Sequence, residues 1–249
     1  KPEEMAEHRG QFVDGAAKNN VSATKANELF DLMEKFAGYG FNKSHAAAYA
    51  LVAYQTAYFK AHYPAAFMAA NLCAVMDDTD KIRQFYDDSR ENGLVVLPPD
   101  INASEYRFVP VDAKTIRYGM GAVKGSGESA IGAVVKAREA GPFIDLFDLC
   151  RRVDKRMVNR RTLESLIRAG AFDSLDTHRA RLLASVGIAM EAAEQAEAGA
   201  MQVSLFGDDP GAVQAIPLAS APPWGERQRL QEEQTALGFY LSGHPFNFY

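Results

Sequence analysis

Val123-Lys124-Gly125-Ser126-Gly127-Glu128-Ser129-Ala130-Ile131 decides how the second half of this chain is read. An apolar residue, then Gly-x-Gly, then at once a helix-forming segment, predicts a tight turn that feeds directly into a helix N-terminus. The first main-chain amides of such a helix lack an intrahelical acceptor, and the aligned peptide dipoles add partial positive charge there. Glycines on both sides of Ser126 keep the turn bare, so an anion can reach the backbone. Nucleotide-binding glycine loops compete for the same residues. Gly119-x-Gly121 has Lys124 where a dinucleotide fingerprint needs its third glycine, and neither Gly-Lys-Ser nor Gly-Lys-Thr occurs, so neither type of loop is satisfied.

The segment resembles the helix-hairpin-helix motif, whose amides hold successive phosphates of one strand without reading bases. On that reading Lys124, Gly125, Ser126 and Gly127 touch DNA, and Ala130 is small enough for two helices to close on each other. A weaker echo runs from Leu163 to Phe172 around Gly170, with His178-Arg179-Ala180-Arg181 opening the next helix. Two readings stay open for it: a second hairpin, or an ordinary helix ended by a glycine C-cap. Between Gly119 and Ser185 there are 12 Lys and Arg against 8 Asp and Glu, although the 249-residue chain as a whole carries −5. The excess lies in Arg151, Arg152, Lys155, Arg156, Arg160, Arg161, Arg168, Arg179 and Arg181, of which Arg160, Arg161, Arg179 and Arg181 are the expected DNA-binding cations. The alternative is a solvated helical face bearing both signs.

Toward the N-terminus, residues 1 to about 93 read as helical throughout. Pro2 and Glu3 suit a helix start, and Ser22 or Thr24 can cap a second helix. Phe36-Ala37-Gly38-Tyr39-Gly40-Phe41-Asn42-Lys43 interrupts the pattern, and Ser44 then caps a long, nearly all-apolar helix expected to be buried on most sides. Asn42, Lys43, Ser44 and His45 place an amide, an ammonium, a hydroxyl and an imidazole at that helix start, a ready site for a triphosphate or a DNA phosphate. The competing reading is a cap that only satisfies the backbone. Asp77, Asp78 and Asp80 are the densest carboxylate cluster, and their place at a further helix start marks them as caps rather than metal ligands. After Gly93, Leu94–Leu97 predicts a short strand, and Tyr106–Val109 with Thr115–Tyr118 a small hairpin. Cys73 and Cys150, without any Cys-x-x-Cys, read as core thiols.

At the other end, the Gly- and Pro-rich stretch 199–223 cannot bury enough apolar surface to offset the entropy of ordering. Gln202-Val203-Ser204-Leu205-Phe206 stands out within it. Gln-x-x-Leu-Phe resembles the pentapeptide by which bacterial replication proteins dock on the sliding clamp, with Gln202 hydrogen bonding and Leu205 and Phe206 filling an apolar pocket. A turn that folds Leu205 and Phe206 back onto their own domain is the alternative.

The order of these pieces, with Leu97-Pro98-Pro99-Asp100-Ile101-Asn102 and the closing Leu237-Gly238-Phe239-Tyr240-Leu241-Ser242-Gly243-His244-Pro245, resembles the alpha subunits of bacterial DNA polymerase III, the C-family replicative polymerases. That resemblance implies a mainly α fold. It divides the chain into a helical later part of a fingers domain with a small β hairpin (1–118), a tandem helix-hairpin-helix domain (119–198), a clamp-binding linker (199–223), and a helix leading to an oligonucleotide-binding barrel (224–249). It also implies partners: primer-template duplex, incoming deoxynucleoside triphosphate near Asn42 to His45, the sliding clamp, and other replicase subunits. The family's catalytic carboxylates and their Mg2+ belong to a palm domain outside this sequence, so the piece alone is expected to be inactive and to hold no cofactor. A non-catalytic DNA-repair scaffold would account only for the C-terminal half. With no apolar run of 18 residues and no signal-peptide core at Lys1-Pro2-Glu3-Glu4, a cytoplasmic setting without membrane contact is expected.

Overall fold

Helix-forming stretches separated by proline, glycine and capping residues dominate the chain, and the computed structural model, which describes residues 2–38, 42–201 and 216–248, is mainly helical. Helices α1 (Pro2–Lys18) and α2 (Ala23–Gly38) form an antiparallel pair. Ser22 begins α2, its hydroxyl accepting from the Lys25 amide. Phe12 meets Phe30 at 5.6 Å, and the Arg9 guanidinium lies over Phe30 while pairing with Asp31 and Glu34.

Helix α3 (Lys43–His62) corrects two expectations. Its cap is Asn42, whose Oδ1 accepts from the Ser44 amide at 3.0 Å and the Ser44 hydroxyl at 2.6 Å. It buries no residue: Tyr54 is 66% exposed and Leu51 57%. Apolar content on every side predicts a helix coated all round, and the described residues supply no such coat.

The chain divides into two compact units, Lys1–Tyr58 and Phe59–Tyr249. Helices α4 (Pro64–Ala74) and α5 (Thr79–Glu91) precede β1 (Val95–Leu97), and the hairpin of β2 (Val109–Pro110) and β3 (Thr115–Arg117) follows. Strand β3 is central, parallel to β1 with Val96 beside Ile116 and antiparallel to β2 with Val109 beside Arg117. Then come α6 (Glu128–Arg138), α7 (Leu146–Arg152), α8 (Arg160–Arg168), α9 (Arg179–Met201) and α10 (Glu226–Leu237). One continuous core joins Met68 and Ile82 to Ile116 and Tyr118 of the strand segment and on to Ile131, Leu149, Leu166 and Phe172. Each large side chain buried there contributes about 2 kcal/mol, and the strand segment and the glycine turns share that core. The chain returns to this core at its end, where Phe239 stacks at 5.2 Å from Tyr86 and 6.4 Å from Tyr118.

Candidate nucleic-acid interface

The first glycine turn is held from inside and bare outside. A 3-10 turn at Met120–Ala122 leads into Gly125, whose φ of +84° is left-handed and suits glycine. The Ser126 side chain faces inward, its hydroxyl 2.6 Å from the Met120 carbonyl and 2.5 Å from that of Val123, and its amide donates to the Val123 carbonyl at 3.1 Å, so both serve the turn. From the other side the Thr162 hydroxyl donates to the Gly125 carbonyl at 3.1 Å, and Asn159 caps α8 by accepting from the Thr162 amide. Gly125, Gly127, Glu128 and Ser129 are exposed, and no side chain caps the N-terminus of α6. Arg161 lies alongside, its Nε 3.7 Å from where a Cβ on Gly125 would stand, and is without an ion pair among the described residues. The Lys124 amide donates to Ala236, and its ammonium rests beside Gly238. A hollow of about 440 Å3 opens in front, lined by Gly125 to Gly127, Tyr106 and Asp77.

The second turn is filled. Helix α8 ends with the Ala171 amide on the Leu166 carbonyl and the Gly170 amide on that of Ile167, a Schellman arrangement with Gly170 at φ +86°. The guanidinium of Arg179, only 5% exposed, occupies the space beside Gly170; it pairs with Asp173 at 2.5 Å, donates to the Arg168 carbonyl at 3.0 Å and lies 3.7 Å from the buried Glu233. His178 caps α9, its Nδ1 accepting from the Arg181 amide at 3.1 Å, and Arg181 pairs with Asp176 at 2.7 Å. Gly170 therefore forms a glycine C-cap, and Arg179, one of the expected DNA-binding cations, is engaged by carboxylates within the fold.

Residues 93–182, which contain both turns and the three strands, match the family model for a helix-hairpin-helix motif. Across its whole length the chain is 55% identical to the DNA polymerase III subunit alpha of Neisseria meningitidis serogroup B and 52% identical to those of Escherichia coli K12 and Vibrio cholerae. The chain is homologous to part of the DNA polymerase III alpha subunit. It spans about a fifth of those relatives, 22% of each.

Most of the basic stretch is internally compensated. Arg152 pairs with Asp148 and donates to the carbonyls of Pro142, Ala137 and Gly141, Lys155 pairs with Glu194 and Glu197, and Arg168 with Glu164 and Glu232. Arg156 holds the exposed Asp154 carboxyl down to about 2, and Arg160 pairs with Glu164 at 2.8 Å. Asn42, Lys43, Ser44 and His45 are all exposed, with His45 4.3 Å from Tyr49. Asp78 caps α5, its carboxyl held below the usual range by the Lys81 amide and then the Lys81 ammonium. Among the described residues no three His, Cys, Asp or Glu side chains are grouped to hold a metal ion, and no helix is long and apolar enough to cross a membrane. Burial pushes the Cys150 thiol up to about 12, as expected of a core thiol. Gln202, Leu205 and Phe206 lie outside the described residues. Thr162 and Asn159 escaped the sequence reading: Asn159 ahead of an amphipathic run was visible as a cap, but nothing local links Thr162 to a turn 37 positions earlier.

Proposed function

We propose that this chain is the duplex-gripping and nucleotide-facing portion of a replicative DNA polymerase, with the turn before α6 holding the phosphate backbone of primer-template DNA. One observation carries the reading: an uncapped helix N-terminus stands beside an arginine without a carboxylate partner among the described residues. Phosphate fits both, because exposed amides and the helix dipole favour an anion and the guanidinium adds a full charge. Such contacts are blind to sequence, as an enzyme that copies any template requires. Lys124, Gly125, Gly127 and Arg161 form the grip, Ser126 shapes the turn from within, and Arg160 and Arg181 flank it from within their own ion pairs. Similarity along the whole chain supports this over a repair scaffold, which would leave the first 118 residues unexplained.

At the N-terminal side, Lys43 and His45 face the incoming triphosphate or the primer end, with Asn42 and Ser44 forming the cap that orients them. Nucleotidyl transfer and its Mg2+ belong to residues outside this chain, so the 249-residue piece alone does not polymerise DNA. Gln202, Leu205 and Phe206 tether the polymerase to the sliding clamp, which keeps the primer end at high effective concentration. Other replicase subunits attach elsewhere.

A salt titration tests the grip. The chain should bind duplex with an affinity that falls linearly on a log-log plot against salt, and Arg161→Ala should reduce that slope by about 1 while leaving thermal stability unchanged. An unchanged slope removes Arg161 from the interface. For the tether, Leu205→Ala with Phe206→Ala should abolish capture by immobilised clamp without altering duplex affinity; undiminished capture refutes it.

A further inference from the structure

A cleft of about 660 Å3 lies between α5, β1 and the loop that follows α10. One wall is cationic. Arg83 and Arg90 both line it, two turns apart on α5; Arg90 sits 5.8 Å over the Tyr86 ring and has no ion pair among the described residues, while Arg83 pairs at 3.8 Å with Asp87, which lines the cleft as well, so the wall keeps a net positive charge. The opposite wall is aromatic. Tyr240 meets His244 edge-on at 5.7 Å, and His244 stacks on Phe246 at 5.4 Å with the planes 11° apart. Phe246 is not part of the lining; it is 77% exposed and extends the stack outward from His244, beyond the mouth of the cleft.

The aromatic wall is built rather than draped. The buried Glu233 carboxylate accepts from the Leu241 and Ser242 amides, the Tyr86 hydroxyl donates to the Leu241 carbonyl at 3.2 Å, and the Tyr240 hydroxyl donates to Gln234 at 2.9 Å. Guanidinium groups facing a fixed run of rings match the chemistry of a single nucleic-acid strand, whose phosphates follow the cations while its bases stack without sequence preference. The cleft also adjoins the duplex grip: Gly238 lines it, and the Lys124 ammonium of the glycine turn rests beside Gly238.

We propose that this cleft binds an unpaired strand of DNA continuous with the duplex held at the glycine turn. The choice of a strand over another anion rests on the duplex reading above. Free thymidine triphosphate presents the same base and phosphate chemistry, so the test separates the two.

Anisotropy of a labelled oligothymidylate of about twelve nucleotides, within the length that one such groove covers, is measured with the 249-residue chain beside a blunt duplex. Arg83→Ala with Arg90→Ala, both exposed positions, should weaken the oligothymidylate about tenfold and leave the duplex within about twofold. Arg161→Ala should do the reverse. Tyr240→Ala with Phe246→Ala should repeat the arginine result, and thermal unfolding of each variant establishes that it is folded. Oligothymidylate binding by the folded arginine variant at wild-type strength overturns the proposal, as does an equal loss of both ligands. Competition by free thymidine triphosphate as strong per nucleotide as by the strand assigns the cleft to a mononucleotide and overturns it too. Failure of the duplex reading looks different: the wild type then binds the strand and not the duplex.

Discussion

Two left-handed glycines shape two turns in this chain, one leading into α6 and one closing α8, and their surroundings differ in every respect that matters for an anion. At Gly125 the turn is exposed, the following helix has no side-chain cap, and Arg161 stands without a carboxylate partner among the described residues. At Gly170 the turn is buried, a guanidinium fills the space beside it, His178 caps the next helix, and Asp173 and Asp176 take up the neighbouring arginines. The backbone φ can be nearly the same while one turn is left open to an anion and the other is filled by the protein's own groups. What separates them is whether the protein's own polar groups have already satisfied the helix start.

The largest break in that comparison should come from Arg179→Ala. Among the described residues its guanidinium is the one cation within ion-pair range of the buried Glu233, whose Oε2 has no hydrogen-bond partner there. Removing one partner of a buried pair leaves the other charge uncompensated. We expect a loss of about 3 kcal/mol in urea unfolding, with duplex affinity per folded molecule unchanged; a loss of affinity without a loss of stability would return Arg179 to the DNA surface.

Gly127→Asp tests whether the first turn can be turned into the second. Gly127 has an extended backbone and open space where a Cβ would stand, so the carboxylate can cap α6. Stability should rise by about 1 kcal/mol while duplex binding falls at least about tenfold, because the amides are taken and a negative charge faces the phosphates. Tighter or unchanged binding would show that the N-terminus of α6 is not the grip.

Acid should loosen the second turn slightly. Burial alone would raise the Asp176 carboxyl, but the His178 amide and then the Arg181 guanidinium outweigh it and hold the group below its usual range. A folded value below the unfolded one means that this stability is present above about pH 4 and is lost as pH falls through the folded value. Asp176→Asn should therefore cost about 1 kcal/mol at pH 7, and the gap from wild type should narrow progressively in unfolding curves as the pH falls below the ordinary carboxylate value of about 4. A gap that persists there would place the effect in packing, not charge.

Much of this was legible in the residues. The Pro64 start of α4, the Asp78 cap, the strand hairpin and the Gly125 turn all follow from short-range rules, because a backbone conformation or an unsatisfied amide is decided within a few positions. The basic stretch was legible only as composition. That Arg152, Arg168, Arg179 and Arg181 serve the fold depends on carboxylates and carbonyls brought alongside by folding, some of them, as Glu232 is to Arg168, 64 positions away.

From its own order of residues this chain determined where helices begin and end, which glycines turn left-handed, and which polymerase subunits it resembles. Tertiary structure alone decided which helix start stays bare, which cations keep a charge to spend on a ligand, and that strands and hairpins share one core. The reason is physical: local rules fix backbone geometry, but the availability of an amide or a guanidinium is set by whatever else is folded within hydrogen-bonding reach.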